Sequence, residues 1–287
     1  MTENTEKPLS NPSKVYALFY AFFLIPLMIT IFGVLFFFLF KMLTYEKQDP
    51  YHLLNNISSG SLTKRWQSAY ELSNLMTDYD KIPQDDYFVS QMINMYKKSI
   101  HDDTRVRTYL ALAMGQTENV KFCEDLVEGL NDNDLENKIA AIKSVGMIQC
   151  QESIELLKKF AVSELDNQIR LASVISLGIL KDKSSIDILV KLLDDEEPNV
   201  RWDAAISLAK IGDNSGYTVL NNLIDRKYYD SFNQVDQNEV NNAILTVLAL
   251  ISDKKDQIFE KNVKKLANSD KNLKIREFAM KIVGEYY

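Results

Sequence analysis

The chain has 287 residues, of which 46% are hydrophobic and 25% are charged, with only nine Gly and six Pro. This composition is typical of a folded protein and excludes extensive disorder beyond about the first dozen residues. Residues 1–43 hold three of the 33 basic and two of the 40 acidic residues, so the remainder has 30 basic and 38 acidic residues and a net charge of −8. Because a surface that binds duplex nucleic acid is basic, we expect no nucleic acid partner.

After an N-terminal tail, residues 1–14, the chain becomes strongly apolar. Residues 15–40 contain no charged residue over 26 positions, which is about 39 Å of helix against a hydrocarbon core of about 30 Å. A secretory signal peptide has a shorter apolar region and a small-residue cleavage site, and neither is present. The pattern predicts one uncleaved transmembrane helix over residues 15–41, with the lipid bilayer contacting residues 15–40.

The membrane sidedness of the rest of the chain is less strongly indicated. Basic residues near a span mark its cytoplasmic side, but Lys7 and Lys14 before this span balance Lys41 and Lys47 after it. Short N-terminal tails more often stay in the cytoplasm, which favours an extracytoplasmic position for the C-terminal part. A short linker, residues 42–48, then leads to Asp49-Pro50, a pair typical of a helix N-terminus.

From residue 49 to the C-terminus, the sequence repeats a pattern of ten columns, seen most clearly in NVRWDAAISLAKIG (199–212). The steps between the basic residues at 107, 138, 170 and 201 are 31, 32 and 31 positions. Column five is small in six of its seven residues, and column nine is apolar in all seven. Column two is basic in six of its seven residues, which are Arg65, Arg107, Lys138, Arg170, Arg201, Val240 and Arg276.

Each unit has room for two short helices, whose apolar stripes can be buried only against neighbouring units. The fold class that this predicts is all-α: an α-solenoid of about seven helix pairs over residues 49–287, preceded by a single transmembrane helix. The motif of NVRWDAAISLAKIG and QIRLASVISLGIL resembles HEAT repeats of the short bacterial type named after phycobilisome lyases. The resemblance implies the solenoid fold, but says little about function, because that repeat serves unrelated tasks.

The basic residues of column two all lie near acidic turns. We interpret them as a structural ladder in which each cation bridges to the acidic turn of its own repeat or the next; an anion-binding ladder is the alternative. The six members are Arg65, Arg107, Lys138, Arg170, Arg201 and Arg276.

A search for catalytic chemistry finds no known constellation. The deoxyhypusine hydroxylases, which share this repeat, bind metal through His-Glu pairs, but the two histidines here, His52 and His101, are not followed by Glu. Phosphate loops and hydrolase motifs are also absent from the sequence. We therefore expect no catalytic residue, no metal and no cofactor, and predict that the chain is not an enzyme but a membrane-anchored scaffold that holds a protein partner. The alternative is an enzyme or cofactor-handling protein related to the bilin lyases or hydroxylases.

The two cysteines, Cys123 and Cys150, have no CxxC or metal-ligand spacing. We interpret them as ordinary buried or half-buried small residues, and they do not indicate a redox compartment.

The candidate partner-binding residues are aromatic. Two tryptophans occupy column three, and an insertion of about eight residues, DRKYYDSFNQVDQNEV (225–240), follows the repeat that carries the second one. Insertions in repeat proteins often form the binding face, and Tyr and Trp are enriched in binding hot spots. The alternatives are tryptophans that pack over a neighbouring repeat and an insertion that covers a repeat edge. The predicted docking residues are Trp66, Trp202, Tyr228, Tyr229 and Phe232.

Overall fold

A computed structural model describes residues 19–43, 49–163, 166–232 and 235–287. The chain divides into two compact units, residues 1–48 and residues 49–287. In the first unit, a π-helical turn, Tyr20–Leu24, continues into helix α1, Ile25–Leu43. The 23-residue helix Tyr20–Met42 contains an 18-residue window with a mean hydropathy of 2.7, so it is long and apolar enough to cross a membrane, a test that a signal sequence also passes.

The second unit is all-α: within the described residues it contains fourteen α-helices and no strand, which confirms the predicted fold class. The helices form seven consecutive pairs, which we call repeats 1 to 7. Their bounds are α2 Pro50–Ser59 and α3 Leu62–Leu75, α4 Asp86–Lys98 and α5 Thr104–Gln116, α6 Cys123–Gly129 and α7 Leu135–Met147, α8 Ile154–Ser163 and α9 Asn167–Leu180, α10 Ile186–Lys191 and α11 Pro198–Ile211, α12 Tyr217–Leu223 and α13 Gln237–Ile251, and α14 Gln257–Ser269 and α15 Leu273–Tyr286.

The acidic turns between helices act as N-caps. Asp49 accepts a hydrogen bond from the Tyr51 amide, which confirms Asp49-Pro50 as the start of α2. Asp134 caps α7, and Asp166 caps α9 through two backbone amides. A side chain that accepts from the free amides of the first turn stabilises a helix by about 0.5–2 kcal/mol. These carboxylates therefore set where the second helix of a repeat begins.

Glycine and serine allow the second helices of repeats 2 to 5 to pack closely. Ser176 Oγ donates to the carbonyl of Ile142 at 2.9 Å, and Ser207 Oγ donates to the carbonyl of Val174 at 3.0 Å. The column-ten glycine of the preceding repeat faces each serine, and a Cβ built on Gly178 would lie 2.6 Å from Ser207 Cβ. Since real Cβ atoms essentially never approach that closely, these helix pairs require a residue without a side chain.

The same arrangement joins repeats 2 and 3. Ser144 Oγ donates to the carbonyl of Ala111 at 2.8 Å, and a Cβ on Gly115 would lie 2.8 Å from Ser144 Cβ. We call these three matched contacts the glycine–serine ladder. They explain the column-ten glycines of the sequence pattern.

The structure places the six basic residues of column two at three kinds of contact. Arg65, Arg107 and Arg170 form ion pairs with the acidic turn of the following repeat, through Asp102, Asp132 and Asp195 respectively. Arg201 and Arg276 instead donate to backbone carbonyls of the turn before their own helix, at Asp195 and Asp270. The ammonium of Lys138 lies 5.6 Å from the centre of the Phe160 ring.

Arg107 is buried and makes several contacts at once. Its Nε donates to Asp132 Oδ2 at 2.6 Å, and its Nη1 donates to the carbonyl of Tyr96 at 2.7 Å. The guanidinium also lies 4.1 Å from the centre of the Tyr96 ring. Burial raises the pKa of Tyr96 to about 12, although the positive charge of Arg107 acts in the opposite direction.

The interpretation of the cysteines as ordinary buried or half-buried small residues is incomplete. Cys123 and Cys150 are buried, as expected, but they form a disulfide. The two residues are 27 positions apart, and the stacking of repeat 3 on repeat 4 brings their Cα atoms to 5.4 Å. This proximity arises from the stacking of repeats, so neither cysteine shows it in its local sequence.

Candidate partner-binding groove

The close packing of second helices stops after repeat 5. Helices α11 and α13 contact each other much less than the consecutive second helices of repeats 1 to 5 do. At this junction Ala209 replaces the column-ten glycine, and Thr246 replaces the serine that would face it. The larger side chains cannot reproduce the glycine–serine contact, so helices α11 and α13 do not pack closely. We call this junction between α11 and α13 the seam.

The hydrophobic core is divided at the same place. On helix α11, Ala204 and Leu208 belong to the buried cluster of repeats 1 to 5. Ala205, on another side of the same helix, belongs to a second cluster that extends to Ile282. Helix α11 therefore contributes to two cores, and the seam marks their boundary.

An aromatic cluster from α11 and the insertion occupies the seam. The Trp202 ring lies 5.1 Å from Phe232 and 5.9 Å from Tyr229, measured between ring centres, and both pairs are T-shaped. The indole N–H of Trp202 donates to the Tyr228 hydroxyl at 3.2 Å. Edge-to-face pairs of this kind add about 0.5–1.5 kcal/mol beyond the area that they bury. Four of the five predicted docking residues thus lie together in one cluster.

The members of the cluster differ in exposure. Tyr229 is buried, and its hydroxyl donates to the carbonyl of Leu223 at 2.9 Å, within repeat 6. Burial raises the pKa of this hydroxyl above the ordinary range for tyrosine. Trp202, Tyr228 and Phe232 are half-buried. Tyr229 therefore supports the fold mainly from inside, while the other three present part of their rings to the surface.

A groove of about 810 Å³ opens beside this cluster. Three segments line it: the first turns of α11, the insertion, and the first turns of α13. Representative lining residues, one or more from each segment, are Glu197, Trp202, Phe232, Val235, Glu239 and Ala243. This volume lies in the range of preformed ligand sites, about 300–1,000 Å³.

The groove combines apolar walls with a negative rim. Glu197 and Glu239 lie at the first turns of α11 and α13, and the amides of Asn199 and Asn242 lie beside them. The described lining residues include no lysine, arginine or histidine. The site therefore offers aromatic faces, hydrogen-bonding amides and two carboxylates.

The fifth predicted docking residue, Trp66, is in repeat 1 and is not part of this groove. The guanidinium of Arg105, from repeat 2, lies 4.3 Å from the centre of its ring. Arg105 is held by Asp103, whose carboxylate accepts two hydrogen bonds from the guanidinium. Trp66 thus packs under a side chain of the neighbouring repeat.

Sequence reasoning missed the residue that holds the insertion in place. Arg226 Nε and Nη2 donate to the two carboxylate oxygens of Asp270 at 2.6 and 2.8 Å, and Nη2 also donates to Asn241 at 2.7 Å. Repeat 6 has Val240 in column two, and Arg226 makes the link to the acidic turn of repeat 7 in its place. The signal in the sequence was the missing basic residue, together with an arginine in the adjacent insertion.

Only one group of three side chains with metal-ligating atoms occurs in the part of the chain that the structure describes: Cys123, Cys150 and Glu152. Zinc and other soft metals bind cysteine as the thiolate. Both sulfurs are used in the disulfide, so in this state the group does not supply thiolate ligands.

The family assignment rests on the repeats themselves. Residues 91–178 and 161–234 match the HEAT-repeat family. The chain belongs to this family. No curated protein matches the chain.

Solved structures of the same fold include an enzyme. The complex of CpcE and CpcF of phycocyanin lyase from Nostoc sp. PCC7120 has 17% sequence identity and a TM-score of 0.55, and the match covers 85% of this chain and 97% of that chain. A computationally designed armadillo repeat protein for modular peptide recognition has 14% identity and a TM-score of 0.40, over 84% of this chain and 100% of that one. Human deoxyhypusine hydroxylase has 11% identity and a TM-score of 0.34, over 82% of this chain and 84% of that one.

The prediction that the chain is not an enzyme is wrong. It rests on the fold and on the absence of catalytic motifs, and neither of these excludes catalysis. The phycocyanin lyase structure has the same solenoid fold over most of this chain, and that protein is an enzyme. The solenoid fold is therefore compatible with catalysis. What the repeat fold does provide in general is an extended surface for binding protein partners.

Proposed function

We propose that this chain is a membrane-anchored HEAT-repeat scaffold that binds a partner protein at the groove between repeats 5 and 6. The observation that carries the proposal is the groove itself, which is preformed and is lined by half-exposed Trp202 and Phe232. Rigid aromatic side chains give a large contact area at a low cost in conformational entropy. Arg226 supports this surface by fixing the insertion to repeat 7.

The proposed organisation is an N-terminal tail (1–14), a transmembrane helix (15–41), a short linker (42–48) and the solenoid (49–287). The apolar helix Tyr20–Met42 supports the membrane assignment. The disulfide between Cys123 and Cys150 supports an extracytoplasmic solenoid, because disulfides persist in oxidising compartments and are rare in the cytosol.

Membrane sidedness can be tested through the cysteines. The full-length chain should be treated with a thiol-alkylating reagent in intact cells and then analysed before and after reduction. For an extracytoplasmic solenoid, Cys123 and Cys150 should be alkylated only after reduction. Alkylation of both thiols without reduction would place them in a reducing compartment and contradict this part of the proposal.

Partner binding can be tested by affinity purification from membranes, comparing the full-length chain with a chain that lacks residues 1–43. We expect a stoichiometric partner to co-purify with the full chain and to leave the membrane fraction with the truncated one. Phe232→Ala should weaken capture at least tenfold, which corresponds to about 1.4 kcal/mol. Tyr70→Ala is the matched control, because Tyr70 is also half-exposed and pairs with an aromatic ring, that of Tyr109 in repeat 2.

Substitution of Tyr229 is not a useful test of docking. Its side chain is buried in the second core, and its hydroxyl bonds to the carbonyl of Leu223. Loss of capture in such a variant would report loss of fold. An equal loss of capture in the Phe232 and Tyr70 variants would contradict docking at the groove.

An enzyme or cofactor-handling protein is the second candidate function. The observation that favours it is the fold shared with the phycocyanin lyase complex. Metal analysis and an absorption spectrum of the protein purified from its native membrane would test it. A bound metal or chromophore in stoichiometric amount would favour this candidate over the scaffold.

A further inference from the structure

Building on the proposed scaffold function, we propose that the groove between repeats 5 and 6 binds an extended segment of the partner through a positively charged side chain, lysine or arginine. The carboxylates of Glu197 and Glu239 would neutralise its charge, and the aromatic wall of Trp202 and Phe232 would cover its aliphatic stem. The inference rests on the sign of the charges around the groove and on the apolar character of its walls.

The charged side chains that line the groove are both acidic. Glu197 and Glu239 face it from two different helices, and its described lining residues include no basic side chain. Glu196 in the adjoining turn forms an ion pair with Arg170 of repeat 4, which leaves Glu197 and Glu239 as the charges that face the groove. An anionic ligand would therefore meet only like charges, whereas a cation would meet two carboxylates.

The helix N-termini at the groove do not offset this preference. Free backbone amides at a helix N-terminus attract anions, but the first amides of α13 already donate to Asp236. Helix α11 begins at Pro198, which has no amide hydrogen, and its other first-turn amides, which no side chain caps, lie beside the carboxylate of Glu197. The carboxylates are thus the dominant charges at the site.

Both glutamates have neutral equivalents that keep their local contacts. Glu239 accepts from the Asp236 amide in a capping box, an arrangement that Gln also supports. Glu197 accepts from the Asn199 side chain at 3.3 Å, and a Gln carbonyl can accept in the same way. The double change Glu197→Gln with Glu239→Gln therefore removes the charge of the site while preserving its structure.

The aromatic wall suits the stem of a lysine or arginine. Such side chains bury their methylene groups against apolar surfaces and keep the charged end in a polar environment. A cation near the face of a tryptophan is attracted by the negative face of the ring. Trp202, Phe232 and Val235 lie on one groove, with the two carboxylates at its polar edge.

The two tryptophans of the chain make the site directly observable. In a Trp66→Phe variant, Trp202 is the sole tryptophan, and its fluorescence reports on the groove. The full-length Trp66→Phe chain, in a non-ionic detergent, should be titrated with three dodecapeptides: alternating lysine and alanine, glutamine and alanine, or glutamate and alanine. We expect only the lysine peptide to change Trp202 emission at micromolar to millimolar concentration.

The charge variant distinguishes this site from general attraction to an acidic protein. Glu197→Gln with Glu239→Gln should weaken binding of the lysine peptide at least tenfold. The matched control, Glu71→Gln with Glu124→Gln, removes the same charge from exposed positions in repeats 1 and 3 and should change binding less than twofold. An equal effect of the two double variants, or equally tight binding of the glutamine peptide, would overturn the inference.

Failure of this inference can be separated from failure of the scaffold proposal. If Phe232→Ala reduces partner capture but the Glu197 and Glu239 variant does not, the groove binds the partner without a cationic side chain. The charge inference is then wrong and the scaffold proposal stands. If both variants reduce capture and the control variants do not, both proposals are supported.

Discussion

The second helices of repeats 1 to 5 pack closely against one another, whereas those of repeats 6 and 7 pack less closely against the preceding second helix. In repeats 2 to 5, serine hydroxyls bond to carbonyls of the preceding repeat, and glycines let the helices approach. At the seam, Ala209 and Thr246 replace this pair, and at the next junction the corresponding residues are Leu248 and Ile282. The difference shows that small residues on second helices control how closely repeats stack, and that their loss opens a surface.

The charged contact between repeats 6 and 7 comes from a different position in the sequence pattern. Arg107 and Arg170 reach forward from the second helix of one repeat to the acidic turn of the next. In repeat 6 the equivalent position is Val240, and the link to repeat 7 comes from Arg226 of the insertion. The insertion therefore serves two purposes, since it holds repeat 7 in place and also forms one wall of the groove.

The largest expected effect comes from breaking the forward ladder in the regular stack. Arg107→Ala leaves Asp132 and the Tyr96 carbonyl without their buried partner and should destabilise the solenoid by about 3–5 kcal/mol. The equivalent change near the C-terminus, Arg276→Ala, removes one half-buried bond to a carbonyl and should cost about 1 kcal/mol. Urea unfolding of both variants measures the difference. Equal losses would show that the two regions do not differ in this respect.

A smaller effect is expected from crowding the glycine–serine ladder. Gly178→Ala places a methyl group against Ser207 and should destabilise the protein by about 1–3 kcal/mol, since the neighbouring helix must shift. Gly284, the column-ten residue of repeat 7, has open space around it, so Gly284→Ala should be neutral or stabilising by up to about 1 kcal/mol. Thermal unfolding of the two variants compares them, and a neutral Gly178→Ala would refute the close-packing explanation.

Helix α11 contributes to the cores of both regions. Its residue Asp203 should make the stability of the protein depend on pH. Burial raises the pKa of this carboxyl to about 6, although Lys210 acts in the opposite direction. Between about pH 4 and pH 6 the folded state holds more protons than the unfolded state, so stability falls as the pH rises through this window. Asp203→Asn should remove that fall and stabilise the protein at pH 7 by about 1–2 kcal/mol.

The control for this prediction is Asp187→Asn, a change at an exposed carboxyl on α10. Urea titrations at pH 4, 5, 6 and 7 should show a flatter profile for Asp203→Asn than for the unmodified chain or the control. Identical profiles for all three proteins would contradict the assignment.

The repeats were predictable from the sequence because the pattern depends on local helical spacing. The last helix, Leu273–Tyr286, carries the same pattern, with Arg276 in column two. The disulfide and the Arg226–Asp270 link were not predictable in this way, because each joins residues of different repeats. The aromatic residues of the insertion were recognised, but the buried position of Tyr229 depends on the separation of α11 and α13, which no local pattern reports.

The groove was only partly foreseen for the same reason. The sequence marked Trp202 and Phe232 as candidates, whereas Glu197 and Glu239 were not selected. Two glutamates 42 positions apart meet at one groove because the first turns of α11 and α13 lie at the same side of the seam. The sequence shows the loss of the glycine and serine at this junction, but its consequence is visible only in the packed structure.

The central claim is that the stack of repeats divides at the seam. Native-state hydrogen exchange of the full-length chain tests this claim most directly. Amides in α5, α7, α9 and α11 should share a high free energy of opening, because one core and the glycine–serine ladder join these helices. Amides in α13, α14 and α15 should exchange through a separate opening of lower free energy, since a second core holds them. A single opening free energy shared by all helices from α5 to α15 would contradict the division and the account of the groove that depends on it.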